Sequence, residues 1–186
     1  MKFLKWFLAV VVVLILAFFF FGRPYLMEQT KKNSPEKTAT YNQNGMDLNI
    51  KYSSPFKKDR VIFGELVPYD VVWRTGANEP TTFTSATNIT IGGKSLASGS
   101  YALWTIPGKE NWSIILNSEI PEWGVTILSG GKKTTRNPET DVLQVTVPVQ
   151  QLSQPLESLS IDFEENEQLY LSIAWDKTKV SVPIND

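Results

Sequence analysis

The chain has 186 residues, 18 basic and 19 acidic, with no histidine and no cysteine. Those two absences exclude disulfide staples, zinc hydrolysis built on histidine ligands and a Ser-His triad within the chain. The net charge is −1, and −3 once residues 1–22, which hold Lys2 and Lys5 and no acid, are set aside, so no basic surface is left for nucleic acid.

Residues 6–21 are apolar without a break, and residues 3–22 reach the roughly 17–25 residues that a hydrocarbon-crossing helix needs. The run is long for a cleavable signal core, and Phe21-Gly22-Arg23-Pro24 offers no small-x-small pair, so a retained anchor is predicted. Lys2, Lys5 and the amino terminus favour a cytoplasmic start, which places the rest of the chain outside the cytoplasmic membrane in a single-pass arrangement.

Residues 23–45, with Glu28, Lys31, Lys32, Glu36 and Lys37, lack an apolar period and read as a polar tether. From Met46 the pattern alternates: Met46, Leu48, Ile50 and Tyr52 are separated by Asp47, Asn49 and Lys51, the period of a half-buried strand. Further strands are predicted at 81–85, 88–91, 100–106, 112–116, 125–128, 142–147, 159–163, 168–175 and 179–182. Gly92-Gly93 signals a tight hairpin, and residues 107–111, 129–131 and 164–167 signal longer reversals. No helical stripe follows the anchor. The expected body is therefore all-β: one antiparallel β-sandwich over residues 46–186, jelly-roll-like, with a partly open barrel as the alternative.

One stretch is more specific than strand sequence in general: Val67-Pro68-Tyr69, then Trp73-Arg74-Thr75-Gly76-Ala77-Asn78-Glu79 and Thr81. With Gly99-Ser100-Tyr101-Ala102-Leu103-Trp104-Thr105-Ile106-Pro107 and Trp175-Asp176-Lys177-Thr178, it resembles a bacterial family of exported, β-rich proteins classed as a domain of unknown function. The resemblance extends over nearly all of residues 46–184. It implies a fold and an exported location but no reaction or ligand. Other members look like proteins with cleaved signals, so the retained anchor is a departure; Ala97-Ser98 also replaces the more usual Leu-Pro-Ala-Gly type of turn.

Arg74 and Glu79 bracket a short loop containing Gly76, so guanidinium and carboxylate can meet across it as a structural latch, with Asp70 a second partner. The functional alternative uses Arg74 and Asn78 as donors to an anionic or hydroxyl-rich ligand, with Glu79 as acceptor. Trp73, Trp104, Trp112 and Trp175 lie in apolar strand contexts and are expected in the core, whereas Trp123 lies in an acidic loop, exposed as a sugar platform or folded back as a lid. Glu65, Asp70, Glu79, Glu119 and Glu122 can supply a hydrolytic carboxylate pair, but no spacing selects one. Asp162, Glu164, Glu165 and Glu167 lack the ligand spacing and internal glycine of a calcium loop, so no metal and no cofactor are expected. The leading expectation is a binding module of the cell envelope for a glycan, peptide or protein partner. An envelope hydrolase and a structural or assembly module are the alternatives.

Overall fold

In the computed structural model, which describes residues 2–126 and 133–186, the apolar leader is helical throughout. Helix α1 (Lys2–Ala17) passes through a π-helical turn at Phe18–Gly22 into α2 (Arg23–Lys32). The Arg23 N–H donates to the Phe18 carbonyl, widening the helix just before Pro24, whose ring clashes with the carbonyl four residues back in an ordinary α-turn. Phe3, Trp6, Leu8, Val12, Leu16 and Phe18 are all exposed, an apolar surface on every side. The helix is long and apolar enough to cross a membrane; an N-terminal signal sequence has the same build.

The chain divides into two compact units, Met1–Asn33 and Ser34–Asp186. Within residues 23–45, expected as a polar tether, residues 23–32 are helical, and β1 (Glu36–Gln43) is a strand of the body. It pairs along its whole length with β2 (Met46–Ser53), from Glu36 opposite Ser53 to Gln43 opposite Met46. Asn44 and Gly45 close the hairpin with φ of 53° and 77°, the two left-handed residues that a type I′ turn requires. Polar composition here marks an edge strand, because only Tyr41 is buried along β1 while the other side chains face water or are partly covered.

The remaining strands are β3 (Thr82–Ser85), β4 (Ile89–Ile91), β5 (Lys94–Leu96), β6 (Gly99–Ile106), β7 (Asn111–Asn117), β8 (Asp141–Pro148), β9 (Gln150–Glu165) and β10 (Leu169–Asn185). They form two antiparallel sheets, one in the order β1-β2-β3-β6-β7-β8 and one in the order β5-β4-β10-β9. Of the strand expected at 125–128, Val125 forms a bridge with Thr134; residues 127 and 128, and the turn expected at 129–131, lie outside the described residues.

Both sheets contribute to one core. Leu48, Ile50, Phe83, Leu103 and Ile114 from the first meet Ile161, Leu171, Ile173, Val180 and Val182 from the second. Strand β10 unites two expected strands: its inward residues are Leu169, Leu171, Ile173 and Trp175, then Val180, Val182 and Ile184. The change of parity is absorbed by register shifts around Asp176, whose φ is 53°. Phe63, Trp73, Trp112 and Trp175 form an aromatic cluster, with Phe63 and Trp112 centroids 5.0 Å apart and Trp73 stacked on Trp175 at 6.1 Å.

The opposite face of the first sheet is also covered. Ala102, Trp104 and Ile115 are fully buried there, with Val72 and Ile106 packed against them.

Gly92 closes the β4–β5 hairpin at φ 58°, and a Cβ on it would fall 2.8 Å from Cγ1 of Val145 in the other sheet. Gly45 has the same hand of backbone but open space around it. Gly45→Ala is expected to cost about 1 kcal/mol, the left-handed penalty alone, and Gly92→Ala distinctly more. Val145→Ala should recover part of the second loss and none of the first, as read by denaturant unfolding of the detergent-solubilised chain.

Candidate functional site

Trp73 and Thr105 exchange both backbone hydrogen bonds, N to O at 2.7 Å and 2.9 Å, so Trp73 runs antiparallel beside β6. Farther along the same edge Leu103 N–H donates to Thr81 O at 2.8 Å, and Thr82 pairs with Ala102. One lane beside β6 is therefore occupied first by Trp73 and then, after an excursion, by Thr81. Residues 74–80 loop out of that lane, and Trp104 is the β6 residue facing the gap.

The loop is tied at its neck. The Thr81 hydroxyl donates to Thr75 O at 2.7 Å, Ala77 N–H donates to Ser53 O at 3.3 Å, and Thr75 Oγ1 lies 3.1 Å from Thr105 Oγ1. A Cβ at Gly76, whose φ is 155°, would stand 3.0 Å from Ser53 O and 3.1 Å from Thr81 Oγ1, so a side chain there would press on the neck. Thr75 is fully buried at φ 54° and Asn78 is at φ 55°. Left-handed backbone at a β-branched residue costs on the order of 1–3 kcal/mol and is held by its surroundings.

Arg74 is the first residue to leave the lane after Trp73. Val72 packs against the outer cluster and Trp73 points into the core, so alternation directs the Arg74 side chain toward the outer face, where Trp104 lies. Arg74 is partly buried, and burial lowers its pKa, with no carboxylate among the described residues to offset that. Nε of Arg74, Nε1 of Trp104 and Nδ2 of Asn78 are all buried donors without a hydrogen-bond partner. The latch expected between Arg74 and Glu79 or Asp70 is therefore absent: Arg74 makes neither pair. Asp70 is exposed at φ 60° and donates its N–H to Pro107 O at 2.8 Å, farther along the lane. Glu79 is half-buried and engaged in an interaction of its own.

Trp123 enters through its neighbour. A Cβ on Gly124 would lie 2.5 Å from Cδ of Arg74, so the Gly124 backbone rests on the arginine's aliphatic stem. Trp123 itself is half-buried, and its carbonyl accepts from the Thr135 hydroxyl at 2.7 Å. Sequence reasoning missed the base of this segment. Asn117, 1% exposed, donates to Asn137 O at 2.7 Å and Asp141 Oδ1 at 2.8 Å, and accepts from Glu119 N–H at 2.8 Å and the Thr140 hydroxyl at 3.0 Å. Arg136 pairs with the same Asp141. An asparagine closing an apolar strand was the available signal.

Glu65, Glu119 and Glu122 are exposed like Asp70, and Glu119 accepts from Asn137. In the acidic turn Glu164 pairs with Lys179, and Glu165 accepts from Asn44. Among the described residues no group of acids is placed to hold a metal ion.

Asn117→Ala strands the partners of a fully satisfied amide and is expected to cost roughly 1–3 kcal/mol in chemical unfolding. Asn117→Asp should cost at least as much, because it faces a second carboxylate toward Asp141; a neutral result for both would show that the knot contributes nothing.

No curated protein matches the chain, and no solved structure matches it. A family model does match, over residues 34–184, beginning where the body begins. The chain belongs to the family described as Protein of unknown function (DUF2911).

Proposed function

We propose that the chain is a membrane-tethered, extracytoplasmic domain of the cell envelope, a β-sandwich of jelly-roll type, that binds a glycan, peptide or protein partner through residues 74–80. One observation carries this reading: a partly buried arginine whose Nε is shut off from water without a hydrogen-bond partner, and which makes no ion pair among the described residues. A charged group partly withdrawn from water with a donor left unpaired lowers stability, and an apolar side chain of similar size would serve the fold better. Such a group is retained where a ligand supplies the missing acceptor, and strained backbone at Thr75 and Asn78 belongs to the same pattern. Asn78 adds a donor, Glu79 an acceptor, and Trp123 borders the site through Gly124. Asp70 serves as an outlying contact near Pro107.

Arg74→Met is expected to raise stability by on the order of 1 kcal/mol and to abolish binding, whereas Arg74→Lys leaves the melting temperature unchanged and weakens binding by losing the two-point fork. The measurements are thermal melting of the full chain in detergent and binding to arrays of envelope glycans and peptides, with Trp123→Ala alongside. A lower melting temperature in Arg74→Met, or arrays on which wild type binds nothing, would overturn the reading.

Orientation has its own test. Protease added to intact spheroplasts should remove the body, and protection of residues 34–186 would reverse the assignment.

A further inference from the structure

Resting on that reading of Arg74, we infer that the buried indole of Trp104 is a second ligand contact, and that together they select a carboxylate. Trp104 is fully buried, yet it belongs to the small outer cluster with Ala102 and Ile115 and not to the main core. Its Nε1–H has no acceptor. A buried indole almost always finds one, since leaving a donor unpaired away from water forfeits its solvation.

The position of this N–H follows from the lane beside β6. Trp104 faces the gap that residues 74–80 leave between Trp73 and Thr81, and Arg74 is the residue that leaves the lane beside it, turned by alternation toward the same face. Two unpaired donors, one charged and one neutral, thus stand at the neck of one loop. Both require an acceptor, and neither supplies one. Trp112 Nε1 is also unpaired, but Trp112 lies in the aromatic cluster on the inner face and is no part of this pair.

The guanidinium atom that is buried without a partner is Nε. The Nε edge is one of the two edges through which arginine makes parallel bonds to a flat, two-oxygen acceptor. The cover over it is tight, with the Gly124 backbone on the side chain's stem. A planar carboxylate lying in the sheet-parallel layer satisfies Nε–H and the indole N–H with its two oxygens. A tetrahedral phosphate carries further oxygens that would have to be placed among Ala102, Ile106 and Ile115, which have no donors to give them.

The carboxylate can come from a small acid or from the end of a peptide, and the test separates them. The full chain, labelled with nitrogen-15 in detergent micelles, shows the Trp104 indole resonance, assigned sequentially and confirmed by its loss in Trp104→Phe. It is titrated with acetate, with acetyl-alanyl-alanine, with the amide of that dipeptide and with inorganic phosphate. The expected result is a shift of the Trp104 resonance with acetate and with the dipeptide acid, none with the amide or phosphate, and none with any probe in Arg74→Met. A larger response to the dipeptide acid than to acetate identifies a peptide terminus as the source. Trp104→Phe, which keeps a ring and removes the N–H, should weaken acetate binding roughly tenfold or more, read from the acetate-dependent rise in melting temperature. If that variant does not fold, the wild-type and Arg74→Met titrations decide alone. A shift with phosphate instead of the acids, or stabilisation by acetate that depends on Arg74 while the Trp104 resonance stays still, would overturn the inference and leave the function above intact. Array binding that depends on Arg74 with no response to either acid would do the same, whereas silent arrays overturn both.

Discussion

The pair of backbone hydrogen bonds between Trp73 and Thr105 holds together the features that matter in this body. It places Trp73 inward among Phe63, Trp112 and Trp175, and by alternation it turns Arg74 toward the outer face, where Trp104 lies. A single lane thus serves two opposed surfaces. The residues that leave it and return at Thr81 are free of ladder constraints, yet are pinned by Ser53, Thr105 and Thr81. A loop fixed this firmly, with its donors buried and unused, has the rigidity that a preorganised recognition element needs.

Much of this was legible from residue order. The apolar leader, the alternation in β2, the Gly92-Gly93 reversal and the apolar spans of β6, β7 and β8 are signalled by period and turn chemistry. Two boundaries were not. The β1 strand was hidden because an edge strand with one buried tyrosine has the composition of a linker; the Asn44-Gly45 pair was the readable clue, and it outweighs composition. The union of residues 169–185 into one strand was hidden because the apolar parity changes across Asp176, and a change of phase looks like a break.

Around residues 74–80, sequence singled out Arg74 and Asn78, whose Nε and Nδ2 are buried without a partner, and misjudged the surroundings of Arg74. Proximity along the chain suggested that Glu79 or Asp70 would neutralise Arg74. The left-handed residues at Asp70, Thr75 and Asn78 send the chain in directions that no spacing argument anticipates, and the charges do not meet. Trp104 was read as core because its neighbours are apolar. It is buried as expected, but on the outer side of the sheet, which depends on pairing with a segment thirty residues earlier. Asn117 and Asp141 escaped notice for the same reason: their partnership spans a long insertion.

The irregularity at Asp176 has a consequence for how this protein can vary. Side chains before it and after it face the core only because the bulge supplies an odd step. Loss or gain of one residue between Trp175 and Val180 would turn Val180, Val182 and Ile184 to solvent in a single stroke. The C-terminal strand therefore carries a built-in length gauge: substitutions there can accumulate one at a time, while changes in residue number cannot.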